Sequence, residues 1–444
     1  MRNRTNTDSE YLTVEDADTF WLMYGAILVF FMQCGFAMLE VGYVQEKNTK
    51  NILIKNVFDA SIGALCWLTS GYGIALGDGS PDTIVGSDSY FLDIDLQSKA
   101  MWLFQWAFCA TAGTIVSGAV AERITFPAYL LITTVLAAAI YPVVVHVGWG
   151  SGFASAWREN NLLSDCGVVD FAGSGVVHAT GGISALVACS LLGPRIGRFV
   201  EGKVYALPQQ SIIYQTLGTL ILWFGWYGFN GVSTLYISGF SGVAAHTMAT
   251  TTISAATGCL ATTGIGYIHE KVISPSYANN GVLAGLVSIT AGCSTCSPLG
   301  AFLIGLIGAF VYYYSNKLLL KLHIDDVVGS IPIHGFCGIW GVIAAGLFAT
   351  PHYYSLAYYS SRANKCSGLL YGGSGDLLLA NLQFVLFLFA WVGSTTAFIV
   401  GPLKCFNLLR VSEEIELDGL DNSKHGGSYG EMPNSPPSAE ETKV

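Results

Sequence analysis

Two histidines are the residues of this sequence best placed to do chemistry. His178 lies in "VVHATGG" and His334 in "IPIHGFCGIWG", and both segments are otherwise apolar and rich in small residues. An unpaired polar group in hydrocarbon is costly, so both rings are expected to face the protein interior, paired or in contact with water. Two facing imidazoles can share one proton through an Nδ–H···N bond, which keeps both rings neutral.

Such a pair is compatible with several functions. In a narrow pore it can accept a hydrogen bond, pass a proton or exclude hydrated cations. The alternatives are two unrelated structural histidines or a metal site. A metal site is disfavoured because these apolar segments hold no further Cys or carboxylate at ligand spacing, and two ligands are too few. Catalysis is disfavoured because no nucleophile elbow accompanies the histidines. The sequence therefore predicts neither an enzyme nor a cofactor.

The elements that must position the histidines are apolar segments of membrane length. Hydrophobic residues make up 52% of the chain and charged residues 11%, against about 25% charged in soluble domains. A transmembrane helix needs about 20 apolar residues. The segments of that kind cover residues 20–44, 52–77, 100–121, 127–147, 171–193, 211–231, 240–268, 279–296, 298–320, 331–350 and 377–407. The predicted fold class is an all-α integral membrane protein with eleven transmembrane helices.

Loop charges predict the orientation of these helices, because Lys and Arg concentrate on the cytoplasmic side. With the N-terminus outside, the twelve inner cations are Lys47, Lys50, Lys55, Arg123, Arg195, Arg198, Lys203, Lys271, Lys317, Lys321, Lys404 and Arg410. The six outer ones are Arg2, Arg4, Lys99, Arg158, Arg362 and Lys365. The predicted organisation is an extracellular N-terminal lead over 1–18, an eleven-helix domain over 19–407 and a cytosolic tail over 408–444.

The spacing of the two histidines predicts internal symmetry. His178 lies in the fifth predicted helix and His334 in the tenth. Five spans is an odd number, so the two halves would enter the membrane from opposite sides. This is the pattern of an inverted repeat, which places a pathway near the midplane between the halves. The eleventh helix would lie outside the 5+5 repeat.

The cysteines predict no metal site. Of the eleven, most lie inside apolar segments and are expected to be small core residues. Cys293, Cys296 and Cys366 could face outward, so a disulfide among them is possible, and "CSTC" lacks the second pair that zinc needs. No basic patch with interleaved aromatic residues indicates a nucleic-acid partner.

Several longer motifs resemble one known family. The segments "FFMQCGFAMLEVGYVQEKNTKNILIKN", "GAVAERITF", "DFAGSGVVHATGG", "GWYGFNGVS" and "DDVVGSIPIHGFCGIWG" are similar to those of the ammonium transporter (Amt/Mep/Rh) family, in order from about residue 20 to 430. The similarity is closest to the ammonium transporter branch. It implies a homotrimer in the cell membrane, with a central pore in each eleven-helix protomer and with ammonium or methylammonium as the substrate.

The resemblance also implies roles for single residues. Trp149 matches the tryptophan of the family's outer cation vestibule, with Phe108 beside it and Ser233 as the serine that hydrogen-bonds the ion. Phe108 and Phe229 match the stacked pair that closes the pore, and His178 and His334 match its twin histidines. Taken alone, Trp149 would be an interface anchor and both phenylalanines would be core residues.

Three aspartates are expected at helix starts. Asp170 precedes the fifth helix, where a carboxylate can cap free N–H groups. Capping is favoured over direct contact between this carboxylate and a cation. The family resemblance likewise implies a mainly structural role for Asp170 in the vestibule. Asp325 and Asp326 are expected to cap the tenth helix in the same way. "DDVV" departs here from the family's commoner "DDP".

The tail "CFNLLRVSEEIELDGLDNSKHGGSYGE" resembles the family's regulatory C-terminal segment, which docks on the inner loops of its own and the next subunit. Ser423 stands where plant-type relatives have a phosphorylated threonine, so a kinase or regulatory partner is possible; an inert surface serine is the alternative. Only Lys424 and His425 lie close enough in sequence to compensate a phosphate there. The predicted function is ammonium transport, and the alternative is an ammonium sensor that uses the same site.

Overall fold

The computed structural model describes residues 13–79 and 83–427. Most of the predicted N-terminal lead, residues 1–12, and the end of the tail, residues 428–444, lie outside the described residues. The remainder is mostly helical.

A helix occupies each of the eleven segments predicted from hydropathy. We label these helices α1 to α11: Val14–Tyr43, Glu46–Leu76, Ser98–Ala119, Phe126–Gly148, Ser174–Leu192, Ile212–Gly231, Ser241–Glu270, Pro275–Ile289, Pro298–Lys321, Ile331–Phe348 and Asp376–Cys405. A hairpin of β1 (Phe199–Val200) and β2 (Lys203–Val204) follows α5, and the short helix Pro351–Ala357 follows α10. The tail forms α12 (Glu413–Asp418) and α13 (Leu420–Lys424).

Eight of the described helices, α1–α5 and α9–α11, are long and apolar enough to cross a membrane. The other three fall short for different reasons. Helix α8 has only 15 residues, α7 is rich in Thr, Ser and Gly, and α6 carries many Gly, Trp and Tyr residues of low hydropathy. The count of eleven transmembrane helices therefore stays a prediction.

Helices α5 and α10 run antiparallel through the middle of the protein. At one end, Arg195 after α5 contacts Asp325 before α10, and at the other, Gly341 packs against Ser174. The two helices cross so closely that a Cβ on Gly182 would collide with the backbone nitrogen of Gly335. Only glycine permits this approach, and an antiparallel crossing is what an inverted repeat predicts.

Two predictions from the sequence were wrong. Lys55 does not lie in an inner loop but is fully buried within α2, because α2 begins before it.

The disulfide joins Cys366 to Cys166, in the loops that precede α11 and α5, whereas Cys293 and Cys296 are buried free thiols. Sequence spacing could not reveal this pairing, because the two cysteines lie 200 residues apart.

Candidate functional site

The two histidines contact each other at the centre of the protein. Each lies in a turn of π-helix at the start of its helix, Ser174–Ala179 for His178 and Ile331–Phe336 for His334. Their Nδ1 atoms are 3.2 Å apart, which fits one shared proton between two neutral rings. The rings are 0% and 4% exposed. Nε2 of His178 has no hydrogen-bond partner among the described residues, so it is available to a ligand.

The histidine pair continues a file of aromatic rings. Phe108 and Phe229 stack with centroids 4.1 Å apart, and the Phe229 ring lies 5.2 Å from that of His178. Trp149 meets Phe108 edge-on at 5.9 Å. Both phenylalanines are almost completely buried, so the stack closes the space between the histidines and the surface. The rings follow in the order Trp149, Phe108, Phe229, His178, His334 and Phe36.

A cavity of about 470 Å³ lies at the Trp149 end of this file. It is lined by aromatic and aliphatic side chains together with a few polar groups, among them Ser233 and Gln105. The Ser233 hydroxyl donates its proton to the Phe229 carbonyl at 2.7 Å, so its oxygen is left as an acceptor. The Nε1–H of Trp149 donates to the Asp170 carbonyl at 2.7 Å, which fixes the indole ring at the cavity wall.

Asp170 holds the start of α5. Its Oδ2 accepts hydrogen bonds from the N–H groups of Gly175 at 3.0 Å and Val176 at 2.7 Å. Gly173 precedes this turn with φ of 102°, and a Cβ there would press on the Trp149 ring at 2.9 Å. The carboxylate therefore fixes both the π-helical turn that carries His178 and the loop that supports Trp149.

Asp326 repeats this arrangement at the opposite end. It precedes His334 by eight residues, as Asp170 precedes His178, and it accepts from the N–H groups of Gly329 and Ile331 at 3.0 and 2.6 Å. The expectation that Asp325 also caps α10 was wrong. Its side chain turns away and pairs with Arg195 at 2.7 Å and Arg198 at 3.4 Å, because two carboxylates cannot cap the same short turn.

The geometry suits a small cation or its neutral base. Aromatic faces attract cations, and an ammonium-type ion also needs oxygen acceptors for its N–H groups. A hydrophobic constriction of this kind is in general a barrier to hydrated ions. Among the described residues, no group of His, Cys, Asp and Glu side chains could hold a metal ion.

Comparison with known proteins identifies the family. The family model described as "Ammonium Transporter Family" matches residues 20–429. The chain belongs to the ammonium transporter family. This confirms the resemblance seen in the sequence, and a member of this family is a multi-pass membrane protein. The relatives of this chain are transporters rather than enzymes.

Curated relatives and solved structures agree with the assignment. Ammonium transporter 3 of Dictyostelium discoideum is 40% identical over 428 residues, 96% of both chains, and Ammonium transporter Amt2 of Archaeoglobus fulgidus is 39% identical over 92% of this chain and 87% of its own. A structure described as "Sensor Amt Protein" has a TM-score of 0.84 at 31% identity, covering 93% of this chain and 98% of its own. Candida albicans Mep2, with a TM-score of 0.78 at 24% identity over 90% and 87%, shares the fold.

This ammonium transporter family protein carries a buried ion network at the C-terminal end of α5. Arg195 bridges Asp325 at 2.7 Å and Glu122 at 3.1 Å, and all three side chains are less than 10% exposed. Burial alone would raise the pKa of Asp325, but the hydrogen bonds and charge of Arg195 outweigh burial and hold that pKa well below its ordinary value. The network ties the loops after α3, α5 and α9 together.

The tail docks on these loops. Glu416 accepts a hydrogen bond from the Ile196 N–H at 2.8 Å and pairs with Arg410 at 2.8 Å. The fully buried Asp421 accepts from the backbone N–H groups of Lys50 and Asn51 at 2.8 and 2.9 Å, near the start of α2. The tail is therefore held by carboxylates that satisfy backbone donors of the loops.

Ser423 lies at the exposed edge of this docked segment. Its hydroxyl donates to Asp418 at 2.9 Å and to the Gly419 carbonyl at 3.0 Å. The expectation that only Lys424 and His425 could compensate a phosphate on Ser423 stays a prediction. Lys47 and Lys50 also reach the segment, with ammonium groups 2.5 Å from the Leu417 carbonyl and 2.7 Å from the Gly427 carbonyl, because α2 begins directly beneath the tail.

Sequence reasoning missed several residues of the site. Trp226 stacks on the His178 ring at 5.0 Å and 18°, and Gln105 presents an Oε1 without a hydrogen-bond partner among the described residues. Both had a usable signal, since each lies three residues, about one helical turn, before an assigned phenylalanine. Tyr236 also lines the cavity and lies three residues after the assigned Ser233, whereas Tyr72 comes from a distant segment and had no such signal.

Proposed function

We propose that this protein carries ammonium or methylammonium across the cell membrane, with the aromatic cavity as the entrance and the twin histidines as the conducting centre. The observation that carries the proposal is the unbroken file of rings from Trp149 to His334, which starts at an open cavity and ends at two buried imidazoles. A solvent-filled channel would not need stacked phenylalanines in its path.

The cavity recruits the charged ion. Trp149 and Phe108 offer aromatic faces, whose attraction for a partly desolvated cation is worth about 1–2 kcal/mol. Ser233 and Gln105 supply acceptor oxygens, and ammonium has four N–H donors to place. Asp170 adds a negative charge behind the wall while its hydrogen bonds hold the vestibule in shape.

The gate and the histidines select what passes. Phe108 and Phe229 part only for a small, weakly hydrated molecule, so hydrated sodium and potassium are excluded. The histidine pair then accepts hydrogen bonds from the passing molecule or takes its proton. Two neutral rings avoid the attraction for other cations that a fixed carboxylate would exert.

We infer the rest of the assembly from the family. The chain forms eleven transmembrane helices over residues 19–407 as an inverted 5+5 repeat plus a final helix, with the N-terminal lead outside and the tail from 408 in the cytosol. Three copies associate in the lipid bilayer. The tail is a regulatory element, and Ser423 is its candidate modification site for a kinase or regulatory protein.

A sensor is the second candidate function. One similar structure is described as "Sensor Amt Protein" and covers 93% of this chain at 31% identity. A sensor would use the same cavity to bind ammonium but would signal through its tail to a partner instead of conducting.

Uptake decides between the two functions. Cells that lack their own ammonium transporters, supplied with this protein, should take up labelled methylammonium, and ammonium should compete with it. The His178→Ala/His334→Ala double variant at equal surface level is the control. Saturable ammonium binding to the purified protein without any uptake would contradict transport and favour the sensor.

A further inference from the structure

Glu40 is a buried carboxylate for which the proposed pathway provides no role. It lies in α1 and is 2% exposed. Its Oε2 accepts a hydrogen bond from Nδ2 of Asn56 at 2.7 Å and from the Ser117 hydroxyl at 3.2 Å. Burying an acidic group costs far more than burying an amide or a leucine, so a residue with purely structural duties here would more simply be neutral.

Glu40 shares a cavity with the pore. A small space of about 10 Å³ beyond the histidines is lined by both Glu40 and His334, with Phe36 and Val328 among its apolar walls. That volume is close to the minimum that one water molecule occupies. The imidazole and the carboxylate would give such a water two polar partners.

A second group of buried polar residues interacts with Glu40 from α2. Lys55 and Asp59 on α2 supply the charges that act on Glu40. Lys55 is fully buried, with its ammonium 5.0 Å from the Tyr129 ring centre and without a hydrogen-bond partner among the described residues. Asp59 accepts a hydrogen bond from the Tyr129 hydroxyl at 2.5 Å. Glu40 therefore interacts with a buried ammonium group and also lines the cavity that it shares with His334, where it can gain or lose a proton.

We propose that Glu40 is the inner proton acceptor of the pathway, connected to His334 through one water molecule in this cavity. The proposal rests on the proposed function. A proton released when ammonium breaks an N–H bond at the outer side converts the histidine pair to its cationic form.

The relay then proceeds with every proton accounted for. His334 gives a proton to the water, the water gives one of its own to the Glu40 carboxylate, and both the histidine pair and the water are left neutral. Ammonia that emerges at the inner side takes the proton from the Glu40 acid, which forms ammonium and restores the carboxylate.

The test uses the full chain in proteoliposomes and measures ammonium-evoked current. Glu40→Gln keeps the size of the side chain and an acceptor for Asn56 but cannot titrate, so the maximal current should fall at least tenfold. The half-saturating ammonium concentration should stay within about twofold, because the outer cavity is untouched. Glu40→Asp, which still titrates, should retain more current than Glu40→Gln.

Ser117→Ala is the matched control. It removes one hydrogen bond to Glu40 but leaves the titratable group, so its current should stay within about twofold of wild type. A Glu40→Gln current within twofold of wild type, or equal losses in the Gln and Asp variants, would overturn the relay.

A measurement on the unaltered protein covers the case in which the variants do not fold. Carbodiimides modify carboxylic acids that are protonated in apolar surroundings. Labelling of Glu40, found by peptide mass spectrometry, should occur together with loss of current, whereas an unlabelled Glu40 or a labelled protein with full current overturns the proposal. If the wild-type protein gives neither current nor uptake, the proposed function fails as well. If the wild-type current is normal and the Glu40→Gln current is unaffected, only the relay is overturned.

Discussion

The Trp149 end and the His334 end of the file of rings share one local design but have different surroundings. Asp170 and Asp326 each cap a π-helical turn, and a histidine follows each of them by eight residues. Beyond His178 lies an aromatic stack and a cavity of about 470 Å³, whereas beyond His334 lies a space of about 10 Å³. The charged groups differ as well, since Glu40 lines the space beyond His334, whereas none of the described residues that line the larger cavity is charged.

The difference shows how two similar helix starts can face different environments. The repeated aspartate and histidine fix where the two rings meet, and the surrounding side chains decide what each ring faces. An open aromatic cavity suits capture of a dissolved cation. A tight inner space beside charged groups suits transfer of a single proton or a neutral molecule instead.

The largest effect is expected at the boundary between the halves. His178→Asp or His334→Asp places a fixed negative charge in the narrowest region, which attracts any cation. Potassium currents, negligible in wild type, should become comparable to ammonium currents in planar bilayers. A double alanine variant that carries ammonium normally and still excludes potassium would show that the histidines do not select.

The inner ion network should dominate stability. Asp325→Asn leaves Arg195 partly uncompensated in a buried site, a loss of about 3–5 kcal/mol. Because the pKa of folded Asp325 lies below its unfolded value, its contribution is full above about pH 4 and is lost as the pH falls through the folded value. Thermal unfolding in detergent should therefore show a large difference from wild type at pH 7 that shrinks in acid.

The outer face supplies the matched control for this comparison. The pair of Lys365 with Asp165 at 2.8 Å is largely exposed, so water and salt screen it. Asp165→Asn should leave the unfolding temperature unchanged within error. If the exposed pair mattered as much as the buried one, the proposed distinction between the two faces would be wrong.

The vestibule variants should act mainly on affinity. Trp149→Leu removes the best cation–π face and Ser233→Ala removes an acceptor, and each interaction is worth about 1 kcal/mol. The half-saturating ammonium concentration should rise a few-fold to about tenfold, whereas maximal uptake should change less. Unchanged concentration dependence in both variants would refute an outer recruitment site.

The smallest effect is expected at Ser423. A phosphate there adds a charge of about −1.5 to −2 beside Asp418, which should loosen the docked tail and close the pores, although Lys47 and Lys50 partly offset the repulsion. Ser423→Asp carries about half the charge of a phosphate, so it should lower uptake partially. Ser423→Ala adds no charge and should leave uptake unchanged. Full activity of the Asp variant at equal surface level would contradict the switch.

Much of the site could be predicted from sequence because its signals are local. Hydropathy located the eleven helical segments, most of them to within a few residues; α1 and α2 start six residues earlier than expected and α8 ends seven residues earlier. The motifs around His178, Phe229 and Trp149 are contiguous, so the resemblance could assign them. Asp325 and Asp326 show the limit: both were expected to cap α10, and only the path of the chain reveals that one of them instead faces Arg195.

The sequence by itself determined the membrane character, the helical segments, the family and the two histidines, because these depend on composition and short motifs. Only the tertiary structure decided which groups meet. The pairing of Cys166 with Cys366, the burial of Lys55 in α2 and the shared cavity of Glu40 and His334 each join segments distant in the chain. Such contacts depend on how closely the helices pack, as at Gly182, and no local pattern encodes them.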